Sequence, residues 1–315
     1  MTARPTILCP IDFSDASRVA LRYAAVIAGH VGASLIALTV EDPVLADAVT
    51  LDTGQQWHPE PTRRELACFV GGALEGTSLR PAITCEVGTG KPAAVILQTT
   101  RQRHCDLIVM STHGLTGIRK LFFGSTTERV LRETSVPVLA TPATAEAPID
   151  MEDIRARIGR ILVPVDLLTA SLHQVQIARR LSESLGVSFL LTHVVEPLRS
   201  PLAVKLHPSI ARERQTRAED ALAELLATVR RQLRAEALVT YGDAAEEIVK
   251  IARDRRAGLI VVGLHGSPML GPHMGSVTYR VLCLTEALVL ALPPRYRPAV
   301  SAADGIPQAA QVSAG

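Results

Sequence analysis

The sequence predicts an α/β protein built from two tandem, doubly wound parallel sheets of five strands, each with the strand order 3-2-1-4-5. The first observation behind this is an internal repeat. Residues 7–12 (ILCPID) return as 161–166 (ILVPVD), 106–114 (DLIVMSTHG) as 258–266 (GLIVVGLHG), and 124–131 (GSTTERVL) as 275–282 (GSVTYRVL). Because the blocks recur in one order at offsets of 151 to 154 residues, the repeating unit is a whole domain. A length of 315 residues accommodates two such domains, each with its own core.

The second observation is that short β-branched runs alternate with longer helical patterns, which is typical of βαβ units. In the first repeat we predict strands at 6–12, 34–40, 83–87, 106–111 and 136–141. We predict helices at 15–30, 61–76, 92–103 and 125–134. The first helix of the second repeat has an apolar stripe at spacings of three and four, as a helix covering a sheet requires: Leu172, Val175, Ala178, Leu181 and Leu185.

The composition divides the chain into two domains, a linker and a tail. We expect the first domain at 1–142 and the second at 160–293. The stretch 143–159 starts with small residues and proline and is interpreted as the linker. The tail 294–315 is poor in large apolar residues and is predicted to be disordered. The last strand of each domain is apolar, and such strands are normally paired or covered when they lie at a sheet edge.

Composition also excludes several classes of protein. Apolar residues make up 47% of the chain, but no uninterrupted apolar run reaches the ~18 residues that span a bilayer, so we expect no membrane segment. The chain starts with a strand-like segment and no signal-peptide pattern, which favours the cytoplasm. The balance of 33 Lys and Arg against 31 Asp and Glu predicts no general affinity for nucleic acid. Five scattered cysteines indicate reduced thiols, with Cys9 and Cys105 expected to be buried in strands.

The recurring blocks meet at one place in the predicted sheet. Ligands of doubly wound sheets bind beyond the carboxyl ends of the strands, where the chain order reverses. Asp12 follows the first strand, and residues 111–114 follow the fourth, its neighbour across the reversal. Gly124 and Ser125 then begin a helix, whose free N–H groups and dipole favour a phosphate. A carboxylate at one end and an anion site at the other suit an adenine-ribose-phosphate ligand.

On these blocks, both halves resemble the universal stress protein family, over residues 6–142 and 160–293. Family members that bind nucleotides carry the motif G-x2-G-x9-G-(S/T), and the first repeat matches it as Ser111-x2-Gly114-x9-Gly124-Ser125. The resemblance implies ATP or another adenine nucleotide as cofactor, with the first-strand carboxylate on adenine and the glycine loop on ribose and phosphates. The nucleotide-binding residues that it implies are Pro10, Asp12, Val40, Met110, Ser111, His113, Gly114, Gly124, Ser125 and Thr126.

Both repeats depart from the family pattern. Ser111 replaces the first glycine, and a serine is tolerated there if the backbone has no positive φ and no ligand comes too close for a Cβ. The second repeat is one residue short, and Pro268 and Pro272 remove N–H donors from its loop. We therefore predict that the second repeat is the weaker nucleotide site. Its candidate residues are Asp166, Gly263, Gly266, Gly275 and Ser276.

Structural interpretations of the same residues remain open. Residues 124–128 also read as a capping box, with Ser125 as N-cap and Glu128 at N3. Residues 88–93 imitate a dinucleotide fingerprint, but a helix that begins at Pro92 explains them better. His113 recurs as His265, yet one histidine per domain predicts no metal site. No pair of nucleophile and base recurs, so no catalytic residue is predicted.

The resulting prediction is a cytoplasmic regulatory protein of the stress response that binds an adenine nucleotide in its first domain. The alternative is a scaffold protein of the same fold that holds no nucleotide, and a slow ATPase ranks third. Whether Mg²⁺ accompanies the nucleotide is left open. The resemblance implies that the last strands of the two domains pair within one chain, and a homodimer is compatible with it. Nucleic acid and membranes are not expected as partners.

Overall fold

Strands and helices alternate along both repeats, as the sequence predicts. The computed structural model describes residues 4–43, 58–78, 80–112, 124–167, 171–197, 208–229, 235–264 and 275–294. The strands of the first repeat are β1 (Thr6–Pro10), β2 (Ser34–Glu41), β3 (Ala82–Thr89), β4 (Leu107–Ser111) and β5 (Val138–Thr141). Its helices are α1 (Asp15–Val31), α2 (Glu60–Ala73), α3 (Pro92–Gln102) and α4 (Ser125–Glu133).

The second repeat follows the same pattern after a helix in the connection, α5 (Met151–Ile158). Its strands are β6 (Arg160–Pro164), β7 (Ser188–Val195), β8 (Ala235–Tyr241), β9 (Leu259–Gly263) and β10 (Leu288–Leu292). Its helices are α6 (Ser171–Leu185), α7 (Pro208–Val229), α8 (Ala244–Asp254) and α9 (Ser276–Leu284). Within the described residues, every helix is too short or too polar to cross a bilayer.

All of the described strands form one sheet, in the order β3-β2-β1-β4-β5-β10-β9-β6-β7-β8. Each half has the predicted order 3-2-1-4-5 with parallel pairing. The predicted pairing of the last strands is confirmed: β5 and β10 pair antiparallel, with Leu139 opposite Leu290, and join the two predicted sheets. Both strands are apolar and mostly buried, and left unpaired they would expose apolar side chains and backbone groups to water.

Helices cover both faces of the sheet. One layer consists of α1, α2, α5, α6 and α7, and the other of α3, α4, α8 and α9. Neighbouring strand residues alternate between the layers, so that Cys9 packs in the first and Leu8 in the second. Each layer of the core contains side chains from both repeats, so the antiparallel junction makes the two cores continuous.

The predicted linker contains an ordered helix. Ile154 and Ile158 of α5 are buried, and α5 packs on α1 of the first repeat. The end of α5 contacts the second repeat, where the Gly258 N–H donates to the Ile158 carbonyl at 2.9 Å. A Cβ on Gly258 would lie 2.0 Å from the Arg157 carbonyl oxygen, so only glycine fits there. The domain boundaries stay predictions, and residues 295–315 of the predicted tail lie outside the described part of the chain.

The antiparallel junction predicts energetic coupling between Leu139 and Leu290. We expect Leu139→Ala to lower the free energy of unfolding by about 2 to 4 kcal/mol and Leu290→Ala to lower it less, because Leu290 is only partly buried. Since the two side chains lie opposite each other, the double variant should depart from additivity by about 0.5 kcal/mol or more. Urea unfolding measures this cycle. The control pair of Leu139 and Leu190, in strands that are not neighbours, should be additive, and additivity in both cycles would contradict the junction.

Burial separates the cysteines into reactive and unreactive thiols. Cys9 and Cys105 are 0% and 4% exposed, which confirms their predicted burial, whereas Cys68 on α2 is exposed. Desolvation raises the pKa of Cys105 to about 12. Desolvation also raises the pKa of Cys9, and the negative charge of Asp12 adds to this.

Because the thiolate is the reactive form, we expect iodoacetamide near neutral pH to label Cys68 in the folded protein and to label Cys9 and Cys105 only in denaturant. Peptide mass mapping after timed labelling checks this. Labelling of Cys9 in the folded protein at the rate of Cys68 would show that the first strand is not buried as described.

Candidate functional site

A crevice opens in each repeat where two neighbouring strands separate. β1 and β4 are paired only near their beginnings. Beyond that point the Ile11 N–H donates to Leu38 of β2 at 2.7 Å, whereas the Thr112 N–H donates to Thr141 of β5 at 2.9 Å. After β1 and β4 the backbone therefore diverges, toward β2 on one side and toward β5 on the other. The equivalent bonds of the second repeat measure 2.8 and 2.7 Å, so both repeats have the predicted crevice at the reversal of strand order.

Asp12 lies beside the first crevice, in the turn between β1 and α1. Its Oδ1 accepts hydrogen bonds from the N–H of Ser14 at 3.1 Å and from the Ser14 hydroxyl at 2.5 Å. Ser14 Oγ in turn accepts from the N–H of Ser17 and caps α1. The half-buried carboxylate thus has a structural task in the turn that sequence reasoning missed. Asp166 is exposed, and the sequence of the second repeat has Leu168 in place of the capping serine.

The residue after each of these aspartates has a left-handed backbone. Phe13 has a φ of 63° and Leu167 a φ of 61°, values that are uncommon for bulky side chains and cost about 1–3 kcal/mol. The Phe13 ring packs edge-on against Phe69, with 5.4 Å between the ring centroids. Because both repeats keep this costly conformation at the same place, the position of the preceding carboxylate is constrained in both.

The helix that borders the first crevice begins without a side-chain cap. Gly124 is the N-cap of α4, with φ −60° and ψ 129°, and Ser125 is the first helical residue. The predicted capping box is therefore wrong. The Gly124 N–H bonds to the Thr112 carbonyl at 3.0 Å, and this tertiary contact fixes where the helix begins. Glu128 instead forms an ion pair with an arginine one turn further along α4.

Thr127 holds the start of α4 against the end of β4, and sequence reasoning missed it. Its hydroxyl donates to the Ser111 carbonyl at 3.0 Å, and its side chain is buried. The sequence could have indicated Thr127, because it recurs in the second repeat as Thr278, which is also buried. The backbone of Ser111 does not have a positive φ, so a serine fits this strand end.

Neither N-cap glycine is required by the fold. Gly124 and Gly275 have φ values of −60° and −59°, which any residue adopts. Among the described residues, a Cβ on Gly124 would lie 3.5 Å from the nearest atom, an ordinary contact, and a Cβ on Gly275 would meet nothing within 4 Å. Serine or aspartate would cap the helix better than glycine. Packing therefore does not explain why these positions are glycine. A ligand that comes close to the helix N-terminus would explain it, because a side chain there would block the approach.

The other predicted residues of the first repeat border the same crevice or lie outside the described residues. Pro10 is the last residue of β1, Val40 lies in β2, and Met110 is the penultimate residue of β4. Thr126 is half-buried in the first turn of α4. His113 and Gly114 lie outside the described residues.

The second crevice contains a side chain that the first lacks. Gln174 of α6 is buried, and its Nε2 donates to the carbonyl oxygens of Pro164 and Val261, both at 2.8 Å. The sequence of the first repeat has Ala20 at this position. Leu172, placed on the apolar stripe by the sequence, is 44% exposed instead. The predicted apolar stripe is wrong at the start of α6, because the polar side chain of Gln174, which bridges β6 and β9, faces the sheet there.

The remaining candidates of the second repeat are only partly described. Gly263 ends β9, Gly275 is the N-cap of α9, and Ser276 begins that helix. Gly266 and the two prolines of the loop lie outside the described residues. No group of three His, Cys, Asp or Glu side chains that could hold a metal ion occurs in the part of the chain that is described.

Comparison with known proteins places both repeats in one family. The sequence profile of the universal stress protein family matches residues 4–142 and 157–293. A universal stress protein of Thermus aquaticus is 33% identical over 139 residues, which cover 42% of this chain and 96% of that protein. A functionally unknown protein of Pseudomonas aeruginosa PAO1 has a TM-score of 0.65 at 19% identity and covers 93% of each chain. A universal stress protein of Archaeoglobus fulgidus has a TM-score of 0.59 at 17% identity and covers 92% of this chain and 98% of its own.

At these identities the two solved structures show the fold alone. The profile, in contrast, matches well over half of the chain and does so once in each repeat. The chain therefore belongs to the universal stress protein family and carries two domains of that family in tandem.

Proposed function

We propose that the first repeat binds an adenine nucleotide, ATP above all, and that the chain acts as a regulatory protein of the stress response. The observation that carries this proposal is Gly124, which begins α4 beside the crevice and has no side chain although the fold would accept one. The N–H groups of the first turn of α4 point out of the helix and offer donors to a phosphate. The exposed Ser125 hydroxyl adds a further donor.

Asp12 supports the same assignment from the opposite side of the crevice. Ser14 occupies one carboxylate oxygen and holds the side chain beside the strand ends. A carboxylate held in this way accepts a hydrogen bond from an amino or hydroxyl group, such as those of adenine and ribose. The distribution of charge thus suits a ligand with donors at one end and phosphates at the other.

The second repeat supports a nucleotide less well. Its aspartate is exposed, its loop is one residue short, and Gln174 occupies part of the crevice. We therefore propose one nucleotide site in each chain. The cytoplasmic location and the homodimer stay predictions.

The N-cap glycines allow a test that separates binding from folding. Gly124→Asp should leave the melting temperature unchanged or raise it, because aspartate caps helices well and a Cβ fits there. The same change should weaken ATP binding by about 100-fold or more, because a carboxylate then occupies the phosphate position. Titration calorimetry and thermal unfolding measure the two effects. Gly275→Asp is the matched control and should leave ATP binding intact; loss of binding only in this control would reverse the ranking of the repeats.

The role of Asp12 is tested by comparing two substitutions. Asp12→Asn keeps an oxygen that accepts from Ser14, so stability should change by less than about 0.5 kcal/mol, whereas ATP binding should weaken by roughly 1 to 3 kcal/mol with the lost charge. Asp12→Ala should weaken binding and also destabilise the fold by about 1 kcal/mol, because the turn loses its acceptor. If the Asn variant loses stability and binding to the same extent, Asp12 only holds the fold together.

A further inference from the structure

Lys91 and Asp243 occupy the same position in the two repeats. Each follows a glycine with a positive φ, Gly90 at 138° and Gly242 at 153°. The N–H of each glycine donates to the carbonyl of the last residue of the neighbouring strand, Glu41 of β2 at 3.0 Å and Val195 of β7 at 3.3 Å. Lys91 is the N-cap residue of α3, with φ −71° and ψ 121°, and Asp243 is the N-cap residue of α8, with φ −72° and ψ 126°. The backbone is the same at this position, and only the charge of the side chain is reversed.

In the second repeat this position holds a carboxylate that is bound by an arginine. Arg280 of α9 donates to Asp243 Oδ2 at 2.6 Å and to Glu246 Oε1 at 3.0 Å. The guanidinium holds the pKa of Asp243 below its usual range. An anionic oxygen thus fits against Arg280 between the N-terminal ends of α8 and α9. In the second repeat this oxygen belongs to the Asp243 carboxylate.

The first repeat keeps the arginine and replaces both acids. Arg129 of α4 recurs as Arg280, whereas Lys91 replaces Asp243 and Ala94 replaces Glu246. Helices α3 and α4 pack against each other as α8 and α9 do. At the three positions equivalent to Asp243, Glu246 and Arg280, the first repeat therefore has two cations and no carboxylate.

The ion pair that Arg129 forms in the structure does not prevent Arg129 from binding a ligand instead. Arg129 pairs with Glu133 at 2.9 Å, and the two side chains are 49% and 46% exposed. Exposed pairs of this kind contribute little and are readily exchanged. Within the described residues, the exposed Lys91 forms no ion pair.

Both cations belong to the starts of helices that follow parallel strands, at the same end of the strands as the proposed nucleotide site. Arg129 lies four residues after Ser125 on the same side of α4, about 6 Å along the axis. Its guanidinium is bound one turn further along the helix by Glu133, and a change of rotamer would bring it toward the start of α4. Lys91 follows Gly90, whose N–H bonds to Glu41, the residue after Val40.

We propose that Lys91 and Arg129 form an anion site that binds the terminal phosphates of the nucleotide and gives the first repeat a preference for longer phosphate chains. This inference rests on the proposed function, because the nucleotide enters the same crevice. In the second repeat Asp243 occupies the equivalent site, which closes it to phosphate. Lys91 and Arg129 are thus specificity determinants, and their charges distinguish ATP from adenosine.

The test places the carboxylate of the second repeat into the first. In Lys91→Asp, Arg129 has a carboxylate partner as Arg280 has, so the dissociation constant for ATP should rise about tenfold or more while that for adenosine changes by less than about twofold. Lys250→Asp is the control, since it makes the same change of charge on an exposed side chain of α8. Titration calorimetry with ATP and adenosine measures both constants, and thermal unfolding with inorganic tripolyphosphate provides a probe without adenine.

The outcomes separate this inference from the proposed function. A selective loss of ATP binding in Lys91→Asp supports both. Equal ATP affinity in Lys91→Asp and Lys250→Asp overturns the anion site and leaves the proposed function intact. Protection of the parent, but not of Lys91→Asp, by tripolyphosphate in a protein that binds no ATP supports the anion site and overturns the proposed function. A parent that binds neither ATP nor tripolyphosphate overturns both.

Discussion

The antiparallel pairing of β5 with β10 is the interaction on which the arrangement of this molecule depends. It covers one edge of each five-stranded half and joins the two halves into one sheet. Strands within a repeat are parallel, so their carboxyl ends share one edge of the sheet. Because the junction is antiparallel, the crevices of the two repeats open at opposite edges. The hydrogen bonds that open each crevice accordingly lie within one repeat.

This separation explains how the repeats conserve their backbone while differing in chemistry. The left-handed residues Phe13 and Leu167 and the two N-cap glycines have nearly the same dihedral angles. The side chains around them differ in ways that alter hydrogen bonding, as with Gln174 in place of Ala20. Backbone geometry is fixed by the strand pairing and the continuous core, whereas a crevice side chain such as Gln174 can differ between the repeats without changing either.

Much of the fold was predictable because it depends on periodicity and repetition. Apolar strands and amphipathic helices set the strand order and the burial of Cys9, and the apolar last strands indicated an edge that needed a partner. The start of α4 was not predictable in the same way, since a local pattern at Ser125 was overridden by the bond from the Gly124 N–H to a distant strand end. The burial of Gln174 was also missed, because its two acceptors come from strands far apart in the sequence. Predictions from local sequence patterns fail where tertiary hydrogen bonds determine the structure. Both of these wrong predictions concern residues at the crevices.

Hydrogen–deuterium exchange of the unmodified chain with and without ATP tests most directly that the nucleotide site is confined to the first repeat. The amides at the start of α4 and at the end of β4 should exchange more slowly when ATP is present, because a bound phosphate accepts from the first turn of the helix. The matching segments of the second repeat, the start of α9 and the end of β9, should exchange at the same rate in both conditions. Equal protection of both pairs of segments, or protection of neither, would contradict a single nucleotide site in the first repeat.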